Sequence, residues 1–315
     1  MADAVRRPRV VVLGSVHMDL IATASRLPGP GESVSGGTFA MAPGGKAGNQ
    51  ACQCALAGAD AAIFTRLGDD EFGRTLRTAL AARGVDVSAI VTDREAATGA
   101  STVLAGEGDY QSIIAPGAAG RLSQADIDRA RPTIEAADAL LLQLEIDPAI
   151  SAHAAAIAAG AEKLVVLNAS PAPDGWDVLP AVLRQATRVL VVNRVEAARL
   201  SGHAKLAPGH AAEALSARTG VATVIVTLGA AGNEAVANGV AVRQEAFPAT
   251  VVDTVGAGDA FLGTAVVALL GGAPVAEALR RGAAAGAIAV SRRGVYDALP
   301  ARDDVDLYLT ATGGV

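Results

Sequence analysis

The sequence predicts an α/β protein built on a doubly wound, mainly parallel central sheet flanked by helices. Two observations carry this. Short β-branched apolar runs alternate along the chain with longer alanine-rich stretches of helical period, the pattern of a sheet covered by its own crossover helices. The strand runs are also apolar without interruption, as strands covered on both faces are. At 315 residues the chain is long enough to bury a large core, and residues 1–315 read as one domain.

In chain order, Val10 to Leu13 reads as a buried strand, and Gly44 to Leu56 as a glycine-rich turn entering a helix that stops near Gly58. Ala62 to Arg66 is the next strand. Asp69 or Asp70 caps a helix running to Arg83, with Gly84 as its stop. Ala139 to Leu144 is a strand, and Pro148 suits the first turn of the helix after it. Lys163 to Leu167, Arg188 to Val192 and Thr223 to Thr227 complete the strand set, and Gly256 to Leu270 reads as a glycine turn opening a helix.

Two segments break the rhythm. Thr23 to Ala40 is rich in Gly, Pro and Ser. Thr98 to Gly117 alternates as two strand-like runs around the turn Gly106-Glu107-Gly108-Asp109. Both read as a small β extension outside the main sheet, either a lid or a plain surface hairpin.

Composition narrows the function. Aromatic residues make up 3% of the chain and the net charge is −6, which disfavours stacking platforms for single-stranded nucleic acid and phosphate-backbone binding. A nucleotide ligand stays compatible, because backbone amides bind phosphate inside an acidic protein. Cys52 and Cys54 lie two apart in a helical stretch and do not face each other. Buried packing in a reducing compartment is the expectation for both. The basic residues Arg6 and Arg7 precede an apolar run, Val10 to Leu13, too short for a signal sequence or a membrane span. A cytoplasmic protein with no membrane partner is expected.

Four segments carry chemistry. In Gly256-Ala257-Gly258-Asp259, glycines at a helix start let several backbone N–H groups face one anion, aided by the helix dipole. A carboxylate at Asp259 would stand beside that anion as a proton acceptor, the pairing phosphoryl transfer needs; alone, the same residues describe an Asp that stabilises a helix start. Gly44-Gly45-Lys46-Ala47-Gly48-Asn49-Gln50 is not a Walker A loop, since Lys46 is followed by alanine. It reads either as a polyol-binding loop or as a glycine turn before a helix. Asn193 with Glu196, and Thr227 with Gly229 and Gly232, follow strands at the ends where open α/β sheets bind ligands. Asn193 and Glu196 suit a hydrated Mg²⁺ near phosphates, or else a solvated helix face; Thr227 and its glycines border a nucleotide or make a turn.

Taken in order, these segments resemble the ribokinase-like carbohydrate kinases of the PfkB family, from about Val10 to about Pro300, with the ribokinase branch the nearest match. The residues that carry the resemblance are Gly14-Ser15-Val16-His17-Met18-Asp19, Pro30-Gly31-Glu32, the Gly44 to Gln50 loop, Gln143-Leu144-Glu145, Asn193 with Glu196, Thr227-Leu228-Gly229, and Asp253-Thr254 through Gly258-Asp259.

The resemblance implies an ATP-dependent transfer of the γ-phosphate to a primary hydroxyl of a small sugar. D-ribose is the first expectation; a nucleoside, fructose, another pentose or a sugar acid is the alternative, and a non-catalytic sugar- or nucleotide-binding protein the more remote one. It further implies Asp259 as the base and Gly256, Ala257 and Gly258 as the anion hole. His17, Asp19, Gly45, Lys46, Asn49, Glu145 and Asp259 would meet the sugar. Asn193, Thr227, Gly229, Gly232, Gly258 and Ala283 would line the nucleotide site, with Glu196 supporting Mg²⁺ through water. Asp253, Val255, Ala289, Arg292, Gly294 and Ala298 would hold a monovalent cation, K⁺, mostly through carbonyls. The β segments, approximately 15–40 and 98–117, would form a lid that also makes a homodimer interface.

Three features depart from the family pattern. His17 stands where Asn is usual, Ala47-Gly48 reverses the usual Gly-Ala order, and Ala283 replaces a residue that is often polar.

Overall fold

Val10 and Val12 turn their side chains to one face of a sheet, and Val11 and Leu13 to the other, as the twofold period of a strand requires. This one strand therefore feeds two cores. The computed structural model describes residues 6–106, 109–202 and 209–312. The predicted turn at Glu107-Gly108 lies outside them.

The first half of the chain runs β1 (Arg9–Leu13), β2 (His17–Thr23), β3 (Thr38–Gly44), α1 (Lys46–Leu56), β4 (Asp60–Phe64), β5 (Arg66–Gly68) and α2 (Glu71–Ala82). It continues through β6 (Val91–Asp93), β7 (Thr98–Gly106), β8 (Asp109–Gly117), α3 (Gln124–Ala136), β9 (Ala139–Leu142) and α4 (Pro148–Gly160). The second half runs β10 (Leu164–Asn168), α5 (Ala181–Ala186), β11 (Val189–Asn193), α6 (Arg194–Ser201), α7 (Ala211–Thr219) and β12 (Thr223–Thr227). It ends with β13 (Asn233–Ala237), β14 (Val240–Gln244), α8 (Ala257–Leu270), α9 (Val275–Val290) and α10 (Arg302–Thr312).

Among the described residues, eight strands form the main sheet in the order β14-β13-β12-β11-β10-β9-β1-β4. Pairing is parallel from β4 through β12 and antiparallel at β13 and β14. One face is covered by α1, α2, α8, α9 and α10, through residues such as Ala51, Leu76, Leu262, Leu279 and Leu309. The other is covered by α3 to α7, through Ile127, Ile157, Leu183, Leu200 and Leu215. Each fully buried side chain of this size contributes about 1.5–3 kcal/mol, so the paired apolar faces hold the alternating elements in register.

The chain leaves β1 toward β4 on one side and later returns to β9 on the other. β1 and β9 therefore flank the topological switch point, where open α/β sheets form a crevice beyond the strand ends. A second sheet has the order β3-β2-β7-β8. Its strands β2 and β7 run parallel, and β3 and β8 flank them antiparallel. It reaches Gly44, past the expected boundary near residue 40, because the whole of His17 to Thr23 pairs with Thr38 to Gly44.

Two strands differ from the sequence reading by more than a one-residue shift. The strand expected over Ala139 to Leu144 stops at Leu142, and Leu144 N–H turns to the Ser170 carbonyl. The strand expected over Ala62 to Arg66 divides into β4 and β5, and β5 pairs with β6 in a separate two-stranded sheet. Asp70, rather than Asp69, caps α2, accepting from Gly73 N–H. Cys52 and Cys54 are buried and free; burial pushes both thiols up to about 12, so they serve as packing. Among the described residues, no helix is long and apolar enough to cross a membrane.

Candidate active site

Ser15 follows β1 and Glu145 follows β9, so the switch point brings them together: the Ser15 hydroxyl donates to the Glu145 carboxylate. Glu145 Oε2 also accepts the backbone N–H of Lys46 at 2.9 Å. Lys46 is the first residue of α1, where an anion meets the positive end of the helix dipole. The loop before it is shaped by glycine. Gly45 has φ +90, and a Cβ there would lie 2.6 Å from the Ser15 carbonyl. A Cβ at Gly44 would strike the Asp19 carboxylate at 2.3 Å. Bare backbone thus lets the loop close onto β2.

Asp19 itself is held from two sides. The Ser101 hydroxyl, directly opposite in β7, donates to its Oδ1, and His17 Nε2 lies 3.2 Å from the same oxygen. His17 is 4% exposed. The structure therefore joins His17 to Asp19 in one polar group on the small sheet.

Asp259 is the third residue of α8, which opens after Gly256 at φ 78. Its carboxylate makes no cap to the start of that helix. It turns toward α1 instead: Asn49 Nδ2 donates to Oδ2 at 2.8 Å and Gln50 Nε2 to Oδ1 at 2.7 Å. Asp259 stays in the first turn of α8, but its hydrogen bonds run to α1 rather than to its own helix start. Burial raises its pKa above the usual carboxylate range, against the pull of Lys46, Asn49 and Gln50, while Glu145 adds to the rise. Gly256, Ala257 and Gly258 occupy the turn just before it, where the first helical N–H groups lack intrahelical acceptors.

The nucleotide-side residues form a second group. Asn193 and Thr227 are register partners at the C-terminal ends of β11 and β12. Gly229 and Gly232 shape the turn after β12, with Gly232 N–H bonded to the Gly229 carbonyl at 3.0 Å. A Cβ at Gly232 would fall 2.1 Å from the Gln244 carbonyl. Asn193 and Glu196 close a reciprocal capping box: Asn193 Oδ1 accepts from Val195 and Glu196 N–H, and Glu196 Oε2 accepts from Asn193 N–H at 2.8 Å. These two residues thus have a structural use of the kind a helix start requires. Ala283 stands half-buried on α9.

Asp253 ties the segment before α8 to the loop after α9. Its Oδ1 accepts from Val255 N–H at 3.0 Å and its Oδ2 from Gly294 N–H at 3.3 Å. The Ala289 carbonyl accepts from Arg292 N–H at 3.1 Å. Asp253, Val255 and Gly294 are brought together directly, and Ala289 with Arg292 adjoins them through the end of α9. Among the described residues, no cluster of three His, Cys, Asp or Glu side chains is set to hold a metal ion.

The reversed Ala47-Gly48 pair has a local cause. A Cβ at Gly48 would lie 2.2 Å from the Tyr296 hydroxyl oxygen, so glycine at this position makes room for that ring on α1.

The fold agrees with comparison to known proteins. The family description pfkB family carbohydrate kinase matches residues 7–302. It is a pfkB-family carbohydrate kinase. The chain is 33% identical to the ribokinase of Haemophilus influenzae, over 95% of this chain and 97% of that one. It is 34% identical to the ribokinase of Mus musculus, over 95% and 94%. The solved structure of Arabidopsis thaliana ribokinase complexed with ribose and ATP superposes with a TM-score of 0.87 at 30% identity, covering 96% of this chain and 99% of that one. The sheet with helices on both faces and its small companion sheet are therefore the ribokinase-like fold.

Sequence reasoning missed Gln50, Gln143 and Asn168. Gln50 Nε2 donates to both Asp259 and Asn168 Oδ1, and its Oε1 accepts from Gln143 Nε2 at 2.5 Å. Gln50 and Gln143 stand inside motifs that carry the resemblance, yet only the packing of α1 over the sheet shows that Gln50 meets Asp259 and Gln143 meets Gln50.

Proposed function

We propose that this kinase transfers the γ-phosphoryl group of ATP to a primary hydroxyl of D-ribose. The observation that carries this reading is the turn of Asp259 away from its own helix start and into the polar group formed with Asn49 and Gln50. A base must reach the hydroxyl proton while amide donors hold the phosphoryl oxygens, and Asp259 lies one residue past the Gly256-Ala257-Gly258 turn. Its raised pKa moves it toward the operating pH of a general base.

In this reading Asp19, His17, Gly45, Lys46, Asn49 and Glu145 receive the sugar at the β1/β9 crevice. Asp19, fixed by His17 and Ser101, accepts a hydroxyl hydrogen, and Asn49 both donates and accepts. Asp259 takes the proton from the primary hydroxyl as that oxygen attacks. Gly256, Ala257 and Gly258 offer backbone N–H groups to the transferring phosphoryl oxygens. Asn193, Thr227, Gly229, Gly232, Gly258 and Ala283 border the nucleotide.

The donor sets fit the ions. Glu196 has one carboxylate oxygen in its capping box and the other left for a metal-bound water, the outer-sphere role that suits Mg²⁺. Mg²⁺, when bound, supplies charge neutralisation at the phosphates. Asp253 with the carbonyls of Val255, Ala289, Arg292, Gly294 and Ala298 is an all-oxygen set of the kind a hard cation takes, and K⁺ is assigned to it.

The lid is assigned to the sheet of β2, β3, β7 and β8. Its outer face carries exposed Phe39, Met41 and Ile113, with Met41, Leu20, Thr102 and Ile113 in one cross-strand row. The exposed apolar side chains of Met41 and Ile113 at the two ends of that row suit a homodimer contact. Sedimentation velocity checks it: Met41→Glu with Ile113→Glu is expected to give monomers from a dimeric wild type, and an unchanged sedimentation coefficient contradicts the assignment.

Coupled ADP detection over ribose, deoxyribose, fructose, other pentoses, nucleosides and sugar acids, with and without K⁺, tests the reaction. The highest kcat/KM is expected on ribose. A nucleoside preference overturns the acceptor assignment. ATP binding without turnover on any acceptor overturns catalysis in favour of a sensing protein.

A further inference from the structure

We propose that Gln50 is the positioning residue of the reaction: a fully buried amide, locked by Gln143 and Asn168, that fixes the Asp259 carboxylate and keeps it a proton acceptor. The proposal rests on the assignment of Asp259 as the base.

The geometry leaves Gln50 no other use. Gln50 and Gln143 are each 0% exposed and Asn168 is 9% exposed, so Gln50 lies behind the carboxylate, out of reach of a sugar. Its three partners stand on separate elements. Gln143 follows β9, Asn168 ends β10, and Asp259 opens α8.

The direction of every hydrogen bond in this group is dictated from its two ends. The Val191 carbonyl oxygen can only accept, so Asn168 presents its NH₂ group there, at 3.0 Å, and its oxygen toward Gln50. An ionised carboxylate only accepts, so Gln50 must present its NH₂ group to Asp259. Both demands are met by one orientation of Gln50, with Nε2 donating to Asp259 at 2.7 Å and to Asn168 at 3.0 Å. That leaves Gln50 Oε1 to accept from Gln143. A flipped Gln50 would set oxygen against oxygen at Asp259 and Asn168, and nitrogen against nitrogen at Gln143. Gly14 leaves room for Gln143, since a Cβ there would lie 2.1 Å from Gln143 Oε1, an oxygen buried without a hydrogen-bond partner among the described residues.

The other groups facing Asp259 are Lys46, which favours its ionised form, Glu145, which opposes it, and the Tyr296 hydroxyl. Asn49 also donates to Asp259, but it is assigned to the sugar as well. Gln50 supplies the donor that substrate binding leaves in place. A hydrogen bond given to a buried charge favours that charge, so Gln50 opposes the burial that drives Asp259 toward its neutral form.

The test is the pH dependence of kcat in Gln50→Met, Gln143→Met and Asp259→Asn, with melting curves for each. Gln50→Met keeps side-chain length and removes the donor. Its kcat at neutral pH is expected to fall roughly tenfold, the acidic limb to move to higher pH, and the rate to recover at alkaline pH, with sugar KM changed less than about twofold. Gln143→Met, which frees only Gln50 Oε1, is expected to move the limb in the same direction by less. A folded Gln50→Met whose acidic limb matches the wild type overturns the proposal. If Gln50→Met does not fold, Gln143→Met decides: an unmoved limb overturns it. Failure of the base assignment looks different, since Asp259→Asn would then retain activity and the wild-type acidic limb.

Discussion

Asn49 Nδ2 and Asp259 Oδ2 meet at 2.8 Å although 210 residues separate them. The contact exists because α1 and α8 lie against each other on one face of the sheet, and Gly263 sets their spacing. A Cβ at Gly263 would lie 2.7 Å from Gln53 Cβ and 2.8 Å from its Cγ, both near the backbone of α1 and unable to swing away. Gln53 is pinned further by bonds to Thr264 and the Pro300 carbonyl.

Gly263→Ala is therefore expected to push α8 from α1. Overpacking of this kind costs about 1–3 kcal/mol, read by urea denaturation, and kcat should fall more than sugar KM rises because the base moves with its helix. Wild-type stability and kcat in this variant would remove α1–α8 spacing from the account.

Glu196 carries two roles that one substitution separates. Gln serves in a capping box as Glu does, so Glu196→Gln should hold stability within about 0.5 kcal/mol of wild type. The Mg²⁺ concentration for half-maximal rate should rise severalfold. A Mg²⁺ titration superimposable on the wild type would leave Glu196 with its capping role alone.

Asp70 joins α2 to the root of the small sheet. Its Oδ1 accepts from Gly73 N–H at 2.8 Å and from the Thr98 hydroxyl, and its Oδ2 accepts from Thr98 N–H at 2.7 Å. Burial works to raise its pKa, but the bonds from Gly73 and Thr98 outweigh it and leave the group below the usual carboxylate range. A depressed folded pKa means that this contribution is present above the unfolded pKa and lost as pH falls through the folded one. Asp70→Ala should thus cost about 1–2 kcal/mol at neutral pH, and the difference from wild type should close in acid. A difference independent of pH contradicts the ionised-cap account.

How much of this was legible in the sequence follows a physical boundary. The strand at Thr223–Thr227 and the helix after Gly256 could be read because burial on both faces and a glycine start are local signals. The hairpin of β13 and β14 was missed although its signal was present: Asn238-Gly239, with φ 49 and 81, is the dipeptide that favours such turns. The Gln50 group had no such signal. Gln50, Gln143, Asn168 and Asp259 are polar residues in apolar stretches, and each alone fits a helix or a strand end. Only the packing of α1 and α8 over the β9 and β10 termini makes them one group. Asn193 and Glu196 were read as a Mg²⁺ site or a solvated helix face, and the capping box that the geometry displays is a local signal neither reading used.

Asp259→Asn tests the central claim most directly. Asn keeps the side-chain shape and removes the proton acceptor, and general-base help is worth roughly 10²–10⁴-fold in rate. The account predicts a folded protein that still binds sugar and ATP, with kcat on ribose lowered by about that factor. A folded Asp259→Asn protein with near wild-type kcat would contradict it.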